Sequence, residues 1–307
     1  MHIPDGFLDT RTVVATSVIS AAAVGAALRH TRRTLPPKSV PLMGLMAAVV
    51  FAGQMLNFPV AAGTSGHLMG GVLVAVIVGP APAILVMTAV LATQAFLFAD
   101  GGVLALGANV LNIGVLSPLV GYGVYRLIRR FASGERGRIV SLSVAAWCST
   151  LVAAVVCSGE LAWSGIAPWG TVVTAMTNVH LLIGVFEGVI SALVVAGIAR
   201  VRPELLDSSG NGSRSGEYAV AGVLVALALA LFVAPFASAW PDGLERVAAT
   251  LGFDHRAIEG SGAMAGYAFP GVDAPVAATM IAGAIGVVAV FGLSILLARL
   301  LVPHSRQ

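Results

Sequence analysis

The chain has 307 residues, 58% hydrophobic and only 10% charged, with a formal net charge of +3 and a mean hydropathy of +0.94. A water-soluble domain carries about 25% charged residues, so this composition excludes a surface that faces water all round and describes an integral membrane protein. The only lysine, Lys38, follows Pro36 and Pro37 with no GxxxxGK[ST] around it, which excludes a Walker A loop and assigns any ATP-driven work to a partner.

The first ten residues, MHIPDGFLDT, are polar. Asp5 and Asp9 precede the first apolar run and no basic stretch does, so this is not a secretory signal. Span-length apolar runs follow at 12–29, 41–58, 66–79, 81–98, 106–127, 139–158, 171–199, 217–238 and 276–301. The predicted fold class is therefore all-α and polytopic, a seven-helix bundle followed by two further transmembrane helices. The third run is short, and Gly79-Pro80-Ala81-Pro82 predicts a tight turn into the fourth. Nine crossings put the chain ends on opposite sides of the membrane. With the N-terminus outside, 14 of the 17 Lys and Arg fall on inner segments, leaving Arg11, Arg246 and Arg256 outside. That asymmetry predicts an extracytoplasmic N-terminus and a cytoplasmic C-terminus.

A polar, Ser- and Gly-rich linker at 203–216 is predicted to divide a seven-span unit, 1–202, from a two-span unit, 217–307. Between the last two spans lies WPDGLERVAATLGFDHRAIEG, where Pro241 and Asp242 predict the start of a short helix with Leu244, Val247, Ala248 and Leu251 on one face. This outer segment carries Asp242, Glu245, Asp254, Glu259 and Asp273 against Arg246 and Arg256. Such a net acidic loop is a cation funnel, a lid or a solvated connector. The second unit supplies no intramembrane His, Cys, Asp or Glu, so it is expected to support transport and to leave binding to the first unit.

Chemistry concentrates at the N-terminus. A histidine in second place sets the Met1 amine, the His2 main-chain nitrogen and the His2 imidazole Nδ1 on one short covalent path. Closing on a metal, they form a five-membered and then a six-membered ring, with three nearly coplanar nitrogens. That set suits Ni²⁺ or Cu²⁺ and, less well, Co²⁺. The bulk of His2 predicts retention of Met1. A fourth nitrogen on the same side is His67, in AAGTSGHLMGG, where Gly63, Gly66, Gly70 and Gly71 permit close backbone approach. Irregular backbone at membrane depth is tolerated where it lines a cavity.

His180 and Glu187 lie seven apart on one face of the seventh span, either as a functional pair or as a buried polar pair that orders packing. Asn57, Asn109, Asn112 and Gln94 read as interhelical hydrogen-bonding amides, Asn57 also as a support behind the His67 loop. Cys148 and Cys157 read as apolar helix filler, and His30, His255 and His304 are given no role.

MHIPDGFL, AGTSGHLMGG, LFADGGVLALGANVLNIG and HLLIGVFEG together resemble the CbiM/NikM family, the metal-specific membrane subunits of energy-coupling-factor (ECF) transporters for cobalt and nickel. Residues 217–301, with their PDGLE stretch, resemble the small two-span companion domain (NikN/CbiN-like), here fused to the main subunit. The resemblance implies a substrate-binding component in the cell membrane, with Ni²⁺ or Co²⁺ as transported substrate and no catalytic cofactor or catalytic residue. It implies as ligands the Met1 amine, the amide and side-chain nitrogens of His2, and His67. It also implies a transmembrane coupling subunit (CbiQ/NikQ-like), two ATPase subunits (CbiO/NikO-like), a lipid surround and no nucleic-acid partner. Two other readings stand beside it. One is an autonomous, proton-driven secondary metal transporter with His180 and Glu187 as relay. The other, an intramembrane metallohydrolase, ranks last because HExxH is absent.

Overall fold

Asp9 opens the first helix by accepting hydrogen bonds from Thr12 N at 2.9 Å and Thr12 Oγ1 at 2.6 Å, which satisfies donors that the first turn leaves free. Helix α1 (Thr10–Thr34) then runs to Arg32 and Arg33 in its last turn, where positive charge suits the helix dipole. Its buried positions are Thr12, Thr16, Ser20, Ala27 and Thr31, whereas Val14, Val18 and Ile19 are more than half exposed. Small and polar residues face the bundle and branched apolar ones face outward, the pattern of a helix whose solvent is lipid.

The computed structural model describes residues 1–61, 63–201 and 215–302. After α1 come α2 (Val40–Gln54), a hairpin of β1 (Phe58–Ala61) and β2 (Thr64–Gly66), α3 (Gly71–Val78) and α4 (Pro80–Thr93). Then follow α5 (Leu106–Asn109), α6 (Ser117–Arg129), α7 (Gly134–Trp163), α8 (Trp169–Val201), α9 (Ser215–Phe232), α10 (Gly243–Leu251) and α11 (Pro275–Leu301). Six of the described helical stretches are long and apolar enough to cross a membrane, with Val40–Gln54 and Val220–Phe236 as shorter apolar helices. The chain is a multi-pass, all-α membrane protein. The expected linker lies almost wholly outside the described residues, as does His304; Ser215 and Gly216 already belong to α9.

The third expected span is corrected. Only Gly71–Val78 is helical there, about 12 Å of rise, well short of a hydrocarbon core about 30 Å thick. Helix α2 stops at Gln54, Pro59 favours an extended Phe58, and the chain turns back through β1 and β2. Gly70, with φ +78°, then reverses the backbone into α3. A window average sees 66–79 as apolar, but Gly66, His67 and the left-handed Gly70 do not sustain a helix. The expected turn before the fourth span is present: α3 ends at Gly79, φ +91°, and α4 begins on Pro80.

The longest helices, α7 and α8, pack along each other through a small-residue face, with Gly184 against the Trp147 ring and Gly188 against the Ser143 carbonyl. Helices α9 and α11 dock on α2, where Gly222 meets Leu45 and Gly44 meets Phe291 and Ile295. The regular helices break twice into π-turns, at Gln94–Phe98 and Val110–Leu116. Within the second, Asn112 Nδ2 donates to Glu160 Oε2 at 2.7 Å, the interhelical role expected of that amide.

One contact tests how closely the second unit must pack. A Cβ on Gly286 would collide with the Phe51 ring and lie 2.9 Å from Phe98, whereas one on Gly292 meets nothing within 4 Å. Gly286→Ala is expected to lower the melting temperature in detergent, at a cost of ~1–3 kcal/mol, and Gly292→Ala to leave it unchanged or slightly raised.

Candidate metal centre

The N-terminal segment is threaded into the bundle. Ile3 is fully buried, and Met1 and His2 are each 8% exposed. Asn109 clamps both backbone groups of Ile3, its Oδ1 accepting from Ile3 N at 2.7 Å and its Nδ2 donating to Ile3 O at 3.0 Å. Gly102 N donates to the same carbonyl at 2.8 Å. Two residues on, the Asp5 carboxylate accepts from Val103 N, Leu104 N and Ala105 N at 3.1, 2.9 and 3.0 Å, opening α5. Its own carbonyl receives Ile258 N at 2.8 Å. With residues 3 to 5 fixed, Met1 and His2 have one place to go.

There the Met1 amine donates to His67 Nε2 at 2.8 Å and pairs with Asp242 Oδ2 at 2.7 Å. His67 Nδ1 lies 3.1 Å from the Leu68 carbonyl. A carbonyl only accepts, so Nδ1 carries the proton and Nε2 presents a lone pair to the amine. The His2 ring stacks on His67 with centroids 5.1 Å apart and planes 16° apart. His2 Nδ1 lies 3.2 Å from Asp100 Oδ1, while His2 Nε2 is buried with no partner among the described residues. The other Asp100 oxygen accepts from the Tyr267 hydroxyl at 2.5 Å, and Gln94 Nε2 donates to that hydroxyl at 3.3 Å.

Electrostatics follow from this packing. Burial first, then the neighbouring amine and His2, hold the His67 imidazole down to a pKa of about 3, so it is neutral. Burial alone would raise the Asp242 and Asp100 carboxyls, but the terminal amine and His67 outweigh it at Asp242, and His2 and the Tyr267 hydroxyl at Asp100. Both stay ionised, well below the usual carboxylate range. Burial and nearby Asp242 push the Glu245 carboxyl up. Among the described residues no three His, Cys, Asp or Glu side chains form a metal-sized cluster. What meets here is the Met1 amine and His67 Nε2, with the His2 ring stacked beside them and its Nδ1 turned to Asp100. A cavity of about 20 Å³, room for one water, lies beside Met1, His67, His180, Glu187 and Asp242.

The family model for the cobalt uptake substrate-specific transmembrane region, CbiM, matches residues 2–205. The chain belongs to the CbiM family. A second model, the PDGLE domain, matches residues 216–303. The putative fused nickel transport protein NikMN of Archaeoglobus fulgidus is 36% identical over 301 residues, covering 97% of this chain and 98% of that protein. The putative cobalt transport protein CbiM of Haloquadratum walsbyi is 31% identical over 218 residues, 68% of this chain and 98% of that one. A crystal structure of a truncated transition metal transporter superposes with a TM-score of 0.60 at 31% identity, covering 65% of this chain and 99% of that one.

Several residues of this CbiM-family site differ from their sequence-based reading. Asn109 anchors the N-terminal strand, not a neighbouring helix. Glu187 does not pair with His180: its Oε2 and Oε1 accept from Met69 N at 2.6 Å and Gly70 N at 2.9 Å, fixing the backbone just past His67. His180 Nδ1 donates to Met176 O at 2.8 Å, and its ring lies against Gly243. The PDGLE segment is no remote connector, since its Asp242 touches the amine directly. Asp5, Asp100 and Tyr267 had no assigned role, although the first two lie in MHIPDGFL and LFADGGVLALGANVLNIG, stretches that carry the family resemblance.

A buried neutral His67 has a proton-linkage consequence. Its folded pKa, about 3, lies below its ordinary 6.5, so the unfolded chain binds the extra proton and stability falls as pH drops from about 6.5 towards 3. Metal-free wild type is expected to melt lower at pH 4.5 than at pH 6.5. His67→Gln is expected to show a smaller fall between the same two pH values.

Proposed function

We propose that this chain is the substrate-binding component of an ECF-type transporter and takes up Ni²⁺ or Co²⁺. In this reading it acts without catalysis of its own, beside a transmembrane coupling subunit and two ATPase subunits, since its only lysine is not in a phosphate-binding loop. The observation that carries the proposal is the Met1 amine 2.8 Å from His67 Nε2, with the His2 ring stacked on His67 in a buried site. The ligands are then the Met1 amine, the His2 main-chain nitrogen, the His2 imidazole and His67. The distribution of Lys and Arg supports an outward-facing N-terminus, and so a site loaded from outside.

The chemistry follows from the donors. His67 already presents a lone pair, so it binds without losing a proton. The amine gives up an ammonium proton and the His2 main-chain nitrogen its N–H, so loading releases protons and weakens as pH falls. The metal takes +2 and the deprotonated main-chain nitrogen −1, which leaves a net +1 where the ammonium had been. His2 Nδ1 exchanges its Asp100 contact for the metal, and Asp100 stays beside it as a carboxylate. The His67 tautomer, set by the Leu68 carbonyl on the far side of the ring, is the kind of support that an imidazole ligand needs. Against a proton relay through Glu187, both its oxygens are occupied by main-chain N–H groups.

Inserting one alanine between Met1 and His2 moves the imidazole to third place and breaks the two-ring chelate. Calorimetry with Ni²⁺ is expected to show loss of tight binding for this insertion and for His67→Ala, with His30→Ala like wild type. Unchanged affinity in the insertion variant overturns the terminal chelate. Metal uptake by cells is expected only when the coupling and ATPase subunits are present, and uptake without them favours an autonomous transporter.

A further inference from the structure

Asp242 divides its two carboxylate oxygens between two jobs. Oδ1 accepts from Leu244 N at 2.8 Å and Glu245 N at 2.9 Å, capping α10, and Glu245 Oε2 returns a bond from Asp242 N at 2.9 Å. Oδ2 takes no part in the cap and faces the Met1 amine at 2.7 Å and His67 Nε2 at 4.0 Å. The carboxylate does not reach the amine on a floppy loop. Pro241 O accepts from Ser65 N at 2.8 Å and Trp240 O from Ser65 Oγ at 2.6 Å. Gly243 lies so close to the His180 ring and Ile183 that a Cβ would fall 2.8 Å from either. Leu244, Val247 and Ala248 are buried beneath. The start of α10 is thus fixed on the first unit from several sides, with one anionic oxygen aimed at the ligand nitrogens.

Resting on the chelate reading above, we propose that Asp242, supplied by the C-terminal unit, is a positioning residue of the metal site. Its Oδ2 holds the Met1 amine against His67 before metal arrives and remains as the fixed counter-charge of the cationic chelate afterwards. The second unit therefore completes the binding site as well as covering it. This departs from the expectation that residues 217–307 leave binding untouched. A negative charge preset in a buried site acts with little screening, and it lowers the energy of any cationic occupant without having to reorient. Loss of such a supporting group typically costs about 10–100-fold in metal affinity.

The test uses the full chain in detergent with Ni²⁺ alone, following affinity by calorimetry and the ligand set by the visible absorption of the bound ion. Asp242→Asn keeps an oxygen for the cap and removes the charge. It is expected to bind about 10–100-fold more weakly with an unchanged absorption band. Asp254→Asn removes the same charge from an exposed position of the same loop and is expected to bind as wild type. If Asp242→Asn melts lower than wild type, Asp242→Ser carries the comparison, because serine caps well but is too short to span cap and amine. Wild-type affinity in both Asp242 variants, or equal weakening by Asp254→Asn, overturns the proposal. Failure of the chelate reading looks different: wild type then binds no Ni²⁺, or His67→Ala leaves affinity and band unchanged.

Discussion

A terminal ammonium buried at a membrane-protein interior is the constraint on which this structure turns. An unpaired charge there is expensive, and it is tolerated when geometry supplies both a counter-charge and hydrogen-bond acceptors. Asp242 provides the first and His67 Nε2 the second, at 2.7 and 2.8 Å. The surrounding segments serve to bring these groups together. Asn109 and Asp5 hold the entering strand, Glu187 and Gln54 hold the backbone after His67, and Ser65 holds the segment that carries Asp242.

Irregular backbone is concentrated at this site. The β-hairpin, the left-handed Gly70, the short α3 and both π-turns lie in the segments that supply or support Met1, His2 and His67. In lipid each main-chain N–H and C=O must find a partner, so such segments survive only where protein groups satisfy them. Glu187 does this for Met69 and Gly70, and Asn109 for Ile3. Those side chains are polar residues in helices that composition alone would make wholly apolar. Their cost is offset by the loops they stabilise: Glu187 has both carboxylate oxygens on main-chain amides.

Much of the architecture was legible in the sequence because lipid imposes a simple pattern. Apolar runs marked the long helices, Gly79-Pro80 marked a turn, and Asp242 marked the start of α10. Met1, His2 and His67 stand out in the sequence because a second-position histidine has few other ways to be distinctive, and the structure sets the amine on His67 Nε2 with the His2 ring stacked on His67. The third span was misread because hydropathy averages over Gly66 to Gly71 and does not register that glycines release the helix. Asp100 and Tyr267 were not legible at all. They are 167 residues apart and meet only through the fold, and neither has a local pattern that names its partner. The Asp242 contact was hidden for the same reason, although the acidity of its loop pointed to cations.

The central claim of the proposal is that the terminal amine of Met1, the main-chain nitrogen of His2 and the imidazoles of His2 and His67 bind the transported ion. X-ray absorption of the full chain loaded with one equivalent of Ni²⁺ reads the ligands directly. The account predicts a planar shell of four nitrogens with outer scattering from two imidazole rings, reduced to one ring in His67→Ala. A shell dominated by oxygen or sulfur, or two rings persisting in His67→Ala, would contradict it.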